Sequence, residues 1–513
     1  MTTDISREEA ALSRSERKTL GAFFTPSHAA DFMVRQYGLH TAWRKGARIL
    51  DPTAGNGALL EAVIRVTLEE GETVTDTMLS RLKGIEQEEA FLKDFPRNIH
   101  SRYGLELPEN LITRGDFLTE QEDRTADIIF GNPPWLNFTE LPEDQKHRIK
   151  PFFLQYRLAG SPRDLLLGNS RIDLAALIII KALQDHLTAG GKGYFFAPLS
   201  LVLNEGAHNT FRSGRLKEDH FAIREVWDYA GHEIFPGVTT RCGFLHLERD
   251  SRTAFPLPYH RLNGQRSWEH LNAEAVAGEG SAFMTCRPGD RAELPEIVIP
   301  GESRPRQGIN TGGRNSLFIF RTCIPRKNGL VELGNRERTV LLPENLVYPL
   351  ISSSQFRDGK EPERFIFLPY SETGAPLTEG ELEGYPAAKA YLEEHRESLM
   401  NRKGTMLRGW LRRGYYWALL GVGPYTFFPW KIVWEAYGRR EFRPRLLHSR
   451  NGKVWIPNQA LQAYTAFRTR KEAEKVLTGL KNPEINRILR SQNMEGTCNW
   501  AQPGRIKVFM KIC

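Results

Sequence analysis

Seven short apolar runs separated by helical patterns constrain this chain more than anything else in it. They are ARILD (47–51), RLKGIE (81–86), NLITRGD (110–116), ADIIFGN (126–132), GKGYFFAP (191–198), AIREVWDY (222–229) and RCGFLHLE (241–248). Runs of this length bounded by turn residues read as strands. Between them, GALLEAVIRVTLEE and DLAALIIIKALQDHL have helical apolar spacing, the second starting at Asp173 as an N-cap. Strands alternating with helices build a mainly parallel sheet covered on both faces. Residues 1–250 are therefore predicted to form a doubly wound, Rossmann-like, seven-stranded α/β domain.

From 251 to 305 the pattern gives way to Pro-, Gly- and Arg-rich sequence such as FPLPYHRLNGQRS and IPGESRPRQG, which reads as a connector. Residues 306–513 are aromatic and basic, with strand-like runs at LFIF (317–320), RFIFLPY (364–370) and KIVWEAY (431–437), and a helix expected from Pro386 to Arg402. This half reads as a separate mixed α+β domain. Charge divides the same way. Residues 1–250 carry 30 Lys and Arg against 36 Asp and Glu, leaving 40 against 26 of the chain's 70 and 62 for residues 251–513. A net of +14 is the footprint of a surface that meets a polyanion. Cys242, Cys286, Cys323, Cys498 and Cys513 form no CxxC pair or Cys/His cluster, so no disulfide framework or metal site is expected. No run approaches the roughly 18 apolar residues of a membrane span, and a cytoplasmic location is expected.

Acids and glycines sit at successive strand ends. Asp51-Pro52-Thr53-Ala54-Gly55-Asn56-Gly57 follows the first strand, where glycines permit a tight turn that a nucleotide-like ligand can approach. Glu86 ends the second strand and can accept two ribose hydroxyls. Gly115-Asp116-Phe117 ends the third, offering a carboxylate to an exocyclic amine and a ring to a base. Each acid could equally be a solvated strand end; their ordered spacing favours one ligand site. After the fourth strand comes Asn132-Pro133-Pro134-Trp135, with a backbone fixed by two prolines, an amide carbonyl and a wide aromatic surface. Read blandly, it is a rigid turn with a core tryptophan.

With Gly21-Ala22-Phe23-Phe24-Thr25-Pro26 ahead of them, these motifs resemble the gamma-class DNA adenine-N6 methyltransferases of bacterial restriction-modification and phage-defence systems. The resemblance covers nearly the whole first half and, loosely, the second. It implies S-adenosylmethionine as cofactor, held by Phe24, Thr25, Asp51, Pro52, Gly55, Gly57, Glu86, Asp116, Phe117 and Asn132. It implies catalysis at Asn132, Pro133, Pro134 and Trp135, with Trp135 and Phe235 (in HEIFPGVTTRCGFLHLE, 232–248) stacking on a flipped base. QGINTGGRNSLFIF (307–320) resembles the opening of a target recognition domain. Thr25 is expected to cap the helix SHAADFMVRQY. The chain departs from the family at Thr53-Ala54, often Ala-Cys, and at Trp135, more commonly Tyr or Phe.

The resemblance implies a site-specific methyl transfer to the N6 amine of adenine in double-stranded DNA. Asn132 and the Pro133 carbonyl would accept the amine's N–H bonds as charge grows on nitrogen. A separate nuclease or defence-system subunit is an optional partner; only 20 residues precede Gly21, so no fused nuclease is expected before it. Residues 136–171 read as a lid, a DNA clamp or a mobile insertion. In the second half, Arg402, Lys403, Arg408, Arg412 and Arg413 alternate with Trp410, Tyr415, Tyr416 and Trp417, and GRREFRPR (438–445) adds four arginines, as phosphate-contacting surface does. Two other readings remain. One is an N-methyltransferase acting on RNA or protein amides, the other a catalytically silent DNA-binding subunit.

Overall fold

The computed structural model describes residues 24–159, 172–235, 238, 240–290, 294–437, 441–448, 452–460, 462–493 and 500–512. Residues 21–23 of the amino-terminal motif, 160–171 of the expected lid, 438–440 of the arginine-rich stretch, Cys498 and Cys513 lie outside them. The chain divides into two compact units, Met1–Arg291 and Ala292–Cys513.

All seven predicted strands are present in the first unit: β1 (Ile49–Asp51), β2 (Leu82–Glu86), β3 (Ile112–Arg114), β4 (Ala126–Gly131), β5 (Leu187–Pro198), β6 (Phe221–Asp228) and β7 (Cys242–Arg249). They lie in the order β6-β7-β5-β4-β1-β2-β3. β1 pairs in parallel with β2 and β4, whereas β7 runs antiparallel to both β5 and β6. The chain leaves β1 toward β2 on one side and returns at β4 on the other, so a crevice opens at the carboxyl ends of β1 and β4, where open α/β sheets hold ligands.

The expected connector is the main correction to the domain boundaries. Three strands, β8 (Leu257–Leu262), β9 (Trp268–Ala275) and β10 (Phe283–Cys286), extend the sheet beyond β6 to ten strands. β8 and β9 alternate in burial: Leu257, Tyr259, Leu271 and Ala273 are buried between exposed or half-buried neighbours. Pro256, Pro258 and the Asn263-Gly264 turn mask that period in the sequence. The unit thus ends near 291.

Helices cover both faces. Ile128, Phe130, Tyr194, Phe196 and Phe244 pack with α1 (Ser27–Tyr37) and α2 (Ala58–Glu69), and Ile129, Phe195, Leu245 and Leu247 with α4 (Leu174–Lys181) on the other face. Every residue of α4 is buried, and Asp173 caps it by accepting from the Ala175 N–H at 3.0 Å. The helix continues through one π-helical turn, Ala182–His186, into β5. The expected lid contains α3 (Glu143–Gln155), whose Ile149 and Phe153 are buried.

The second unit is mixed α+β, with small sheets of two, four, four and three strands. Here the sequence reading needs three corrections. LFIF is a helical turn, Asn315–Phe318, leading into the two-residue strand Ile319–Phe320. The helix from Pro386 stops at Glu394 and a separate one spans Arg396–Met400. Arg402 is no surface cation: it is buried, and its guanidinium donates to the carbonyls of Leu399, Thr311 and Tyr416. Tyr416 and Trp417 are core residues, while Lys403, Arg408, Arg412 and Arg413 are exposed. With the boundary moved to 291, the second unit holds 35 Lys and Arg against 22 Asp and Glu, so its basic excess survives the correction.

Candidate active site

One cleft at the carboxyl ends of β1–β4 is lined by Phe24, Thr25, Asp51, Pro52, Gly55, Glu86, Asp116, Phe117, Asn132 and Pro134. The turn after β1 is held in place by backbone bonds, with the Ala54 N–H donating to the Ile85 carbonyl at 2.9 Å and Gly57 to Ala54 at 2.8 Å. Gly55 adopts φ +54°, and a Cβ there would stand 3.3 Å from the Phe24 ring. Gly57 does not line the cleft. It caps α2 at φ +81°, and a Cβ would fall 2.3 Å from the Phe95 ring, so its glycine requirement comes from packing.

The three carboxylates have different environments. Asp51 is fully enclosed: burial lifts its carboxyl to about 8 against the opposing bond from the Thr53 N–H, and the charge of Glu86 adds to the rise. Glu86 accepts the Gly55 N–H through Oε2 and the Glu88 N–H through Oε1, each at 2.8 Å, while burial raises its pKa. The Gln87 N–H also bonds to this carboxylate, which keeps lone-pair capacity for a ligand hydroxyl. Asp116 accepts from the Leu118 N–H at 3.0 Å and its other oxygen pairs with Arg148 at 3.2 Å. Arg148, Gln145 and Ile149 of α3 line the same cleft, so this helix roofs it. Sequence reading missed Arg148; its only signal was helical spacing within a segment read as a loop. Phe91, also missed, packs edge-on against Phe24 with ring centroids 5.1 Å apart.

Asp51 supplies a pH prediction. Its folded pKa lies above its unfolded value of about 3.9, so its contribution to stability is present below pH ~4 and lost as pH rises toward 8. Asp51→Asn keeps an acceptor for Thr53 and should lose less thermal stability than the parent between pH 5 and pH 8. Parallel melting curves across that range would contradict the buried, protonated carboxyl.

Thr25 is not a helix cap: Pro26 occupies the N-cap of α1, with no side-chain capping bond. Its buried hydroxyl accepts from Asn132 Nδ2 at 3.1 Å instead. This bond ties the amino-terminal motif to the turn after β4 and holds the Asn132 amide with Nδ2 on Thr25. Pro133 is buried beside it.

Trp135 and Phe235 come together, but not as two walls of a slot. Their rings meet edge to face with centroids 4.9 Å apart, and Phe235 is only 1% exposed, its ring also edge-on to Phe196 at 5.7 Å. The expected stacking position of Phe235 is corrected accordingly: in this arrangement it braces Trp135 from the core. Trp135 is half-buried, and neither ring lines the cleft that holds the carboxylates. Among the described residues no group of three or more His, Cys, Asp or Glu side chains is arranged to hold a metal, and no helix is long and apolar enough to cross a membrane.

Residues 10–203 match the family described as N-6 DNA Methylase. The Type II methyltransferase M.HincII of Haemophilus influenzae is 27% identical over 187 residues, 36% of this chain and 29% of that protein. The Type II methyltransferase M.NspV of Nostoc sp. (strain ATCC 29411 / PCC 7524) is 33% identical over 119 residues, 23% of this chain and 22% of that protein. The matched segments span less than a third of these relatives' own length. The Type IIL restriction-modification enzyme MmeI, solved in complex with DNA, has a similar fold, with a TM-score of 0.52 and 13% identity over 90% of this chain and 64% of that one.

Proposed function

We propose that this chain, whose residues 10–203 belong to the N-6 DNA methylase family, is a site-specific DNA methyltransferase of a restriction-modification system that methylates the N6 amine of adenine with S-adenosylmethionine. The observation that carries this reading is the Thr25–Asn132 bond in the lining of a cleft that also holds three carboxylates at successive strand ends. The donor set fits the cofactor. Glu86 has lone-pair capacity for ribose hydroxyls, Asp116 an oxygen for an amine, and Gly55 lines the cleft beside the Phe24 ring. When bound there, S-adenosylmethionine supplies an electrophilic methyl group on a cationic sulfur.

The residues of the chain do the rest. An adenine amine is a weak nucleophile because its lone pair is delocalised into the ring. Asn132 Oδ1 and the Pro133 carbonyl accept its N–H bonds, favour the pyramidal nitrogen and stabilise the positive charge that grows there. Thr25 accepts from Nδ2 and so anchors the amide beside the cleft. Trp135 offers the face on which a base taken out of the duplex stacks. This separates the reading from a silent DNA-binding subunit, which needs no oriented amide. It differs from an RNA or protein amide methyltransferase through the basic second unit, whose excess of 13 charges suits a duplex.

Two expected results test these assignments. Trp135→Ala should remove most of the fluorescence rise of 2-aminopurine placed at the methylated position, since base–aromatic stacking contributes about 1–3 kcal/mol; an undiminished rise would remove Trp135 from base capture. Replacing exposed Arg408, Arg412 and Arg413 together with alanine should weaken duplex binding and lower the salt slope by about 2–3 if each meets a phosphate. Filter binding from 50 to 200 mM salt measures this, and an unchanged slope would move the contact surface elsewhere.

A further inference from the structure

The loop between β6 and β7 carries Phe235, and both of its ends are tied to one buried carboxylate. Asp228, the last residue of β6, is 0% exposed. Its Oδ1 accepts the Ala230 N–H at 2.8 Å, at the first turn of the loop. At the far end, immediately before β7, Arg241 donates to it twice, Nε to Oδ1 at 3.1 Å and Nη2 to Oδ2 at 2.5 Å. From β8, outside the loop, Tyr259 donates its hydroxyl to Oδ2 at 2.8 Å and Arg261 stands 3.5 Å away. Burial opposes ionisation of Asp228, but Arg241 and Arg261 outweigh it and hold the group below the usual carboxylate range.

A pure core ion pair would not need this arrangement at the neck of a loop. Ala230 and Gly231 take φ of +50° and +84°, so the chain turns sharply through left-handed backbone as it leaves β6. A residue with a Cβ is unfavourable in that region, and the Asp228–Ala230 bond holds it there. Beyond this exit the Phe235 ring packs at steep angles against both Phe196 of β5 and Trp135, with centroids 5.7 and 4.9 Å away.

We propose that Asp228 and Arg241 form a clasp that holds the turn at Tyr229–Gly231 and sets the placement of Phe235 against Trp135, making them positioning residues for base capture. The proposal rests on the methyltransferase reading, in which Trp135 receives the base. Neither residue touches the cleft that holds the carboxylates, so cofactor binding is predicted to be independent of the clasp.

The test compares two substitutions in the full-length protein that each take a donor from the same carboxylate. Arg241→Lys keeps the charge but cannot make the paired bonds that close the loop. Tyr259→Phe removes a donor that lies outside the loop. Arg241→Lys is expected to speed amide hydrogen exchange at residues 230–235 at least about tenfold, to lower kcat about tenfold and to reduce the 2-aminopurine signal, with the cofactor Kd within about twofold of the parent. Tyr259→Phe is expected to lower the melting temperature while leaving loop exchange and kcat within about twofold. If Arg241→Lys does not fold, Asp228→Asn is read against Tyr259→Phe in the same way. Equal losses of kcat from both substitutions, or faster loop exchange with unchanged kcat, would overturn the clasp. A parent protein that transfers no methyl group would overturn the underlying reading instead, and hydrogen exchange tells the two failures apart because it needs no turnover.

Discussion

Asn132→Ala is expected to lower methyl transfer by about 10²–10³-fold, the scale seen when one preorganised polar group is removed from a charge-developing centre. The substitution leaves Glu86 and Asp116 with their own backbone partners, and these do not involve Asn132. Cofactor and duplex affinities should therefore stay within a few-fold of the parent. Thr25→Val probes the same amide from the other side. It removes the acceptor of the 3.1 Å bond from Nδ2 but keeps Asn132, so the amide is free to turn over and transfer should fall about tenfold. Single-turnover rates at saturating cofactor and DNA measure both effects. Equal rates in all three proteins would make the Asn-Pro-Pro-Trp turn purely structural.

Glu86→Ala is expected to weaken S-adenosylmethionine binding by ten- to a hundredfold. A hydrogen bond to a charged acceptor contributes about 1.5–3 kcal/mol, and each 1.4 kcal/mol is a factor of ten in affinity. Glu86 has two tasks: besides facing the ligand, it holds the Gly55 and Glu88 N–H groups at 2.8 Å. Glu86→Gln should be almost as damaging, because one of its two terminal atoms becomes an NH₂ facing a backbone donor. Calorimetric titration showing unchanged affinity in either variant would remove Glu86 from the cofactor site.

The motifs were legible because they sit at strand ends, where sequence order and spatial order coincide. Asp51 and Glu86 end β1 and β2, Asp116 and Asn132 follow β3 and β4, and parallel pairing brings those ends side by side. Contacts between distant segments had no such signature. Thr25 reads as a helix cap by its position before Pro26 and SHAADFMVRQY, and only tertiary structure places its hydroxyl on Asn132, 107 residues away. Arg148 was hidden for the same reason, because its partner Asp116 lies on another element. The carboxy-terminal arginines look alike in sequence, yet Arg402 is spent on three backbone carbonyls while Arg408, Arg412 and Arg413 stay exposed. β8 and β9 escaped notice because prolines and polar residues on the open face break the apolar alternation that marks a strand.

The central claim, that an oriented asparagine in this cleft methylates adenine in DNA, is tested most directly by single-molecule sequencing of DNA from a methylation-free host expressing the parent chain or its Asn132→Ala variant. N6-methyladenine at one defined sequence motif in the first and at none in the second is the predicted result. Unmodified DNA from the host expressing a folded parent chain that binds S-adenosylmethionine, or the same methylation in both hosts, would contradict it.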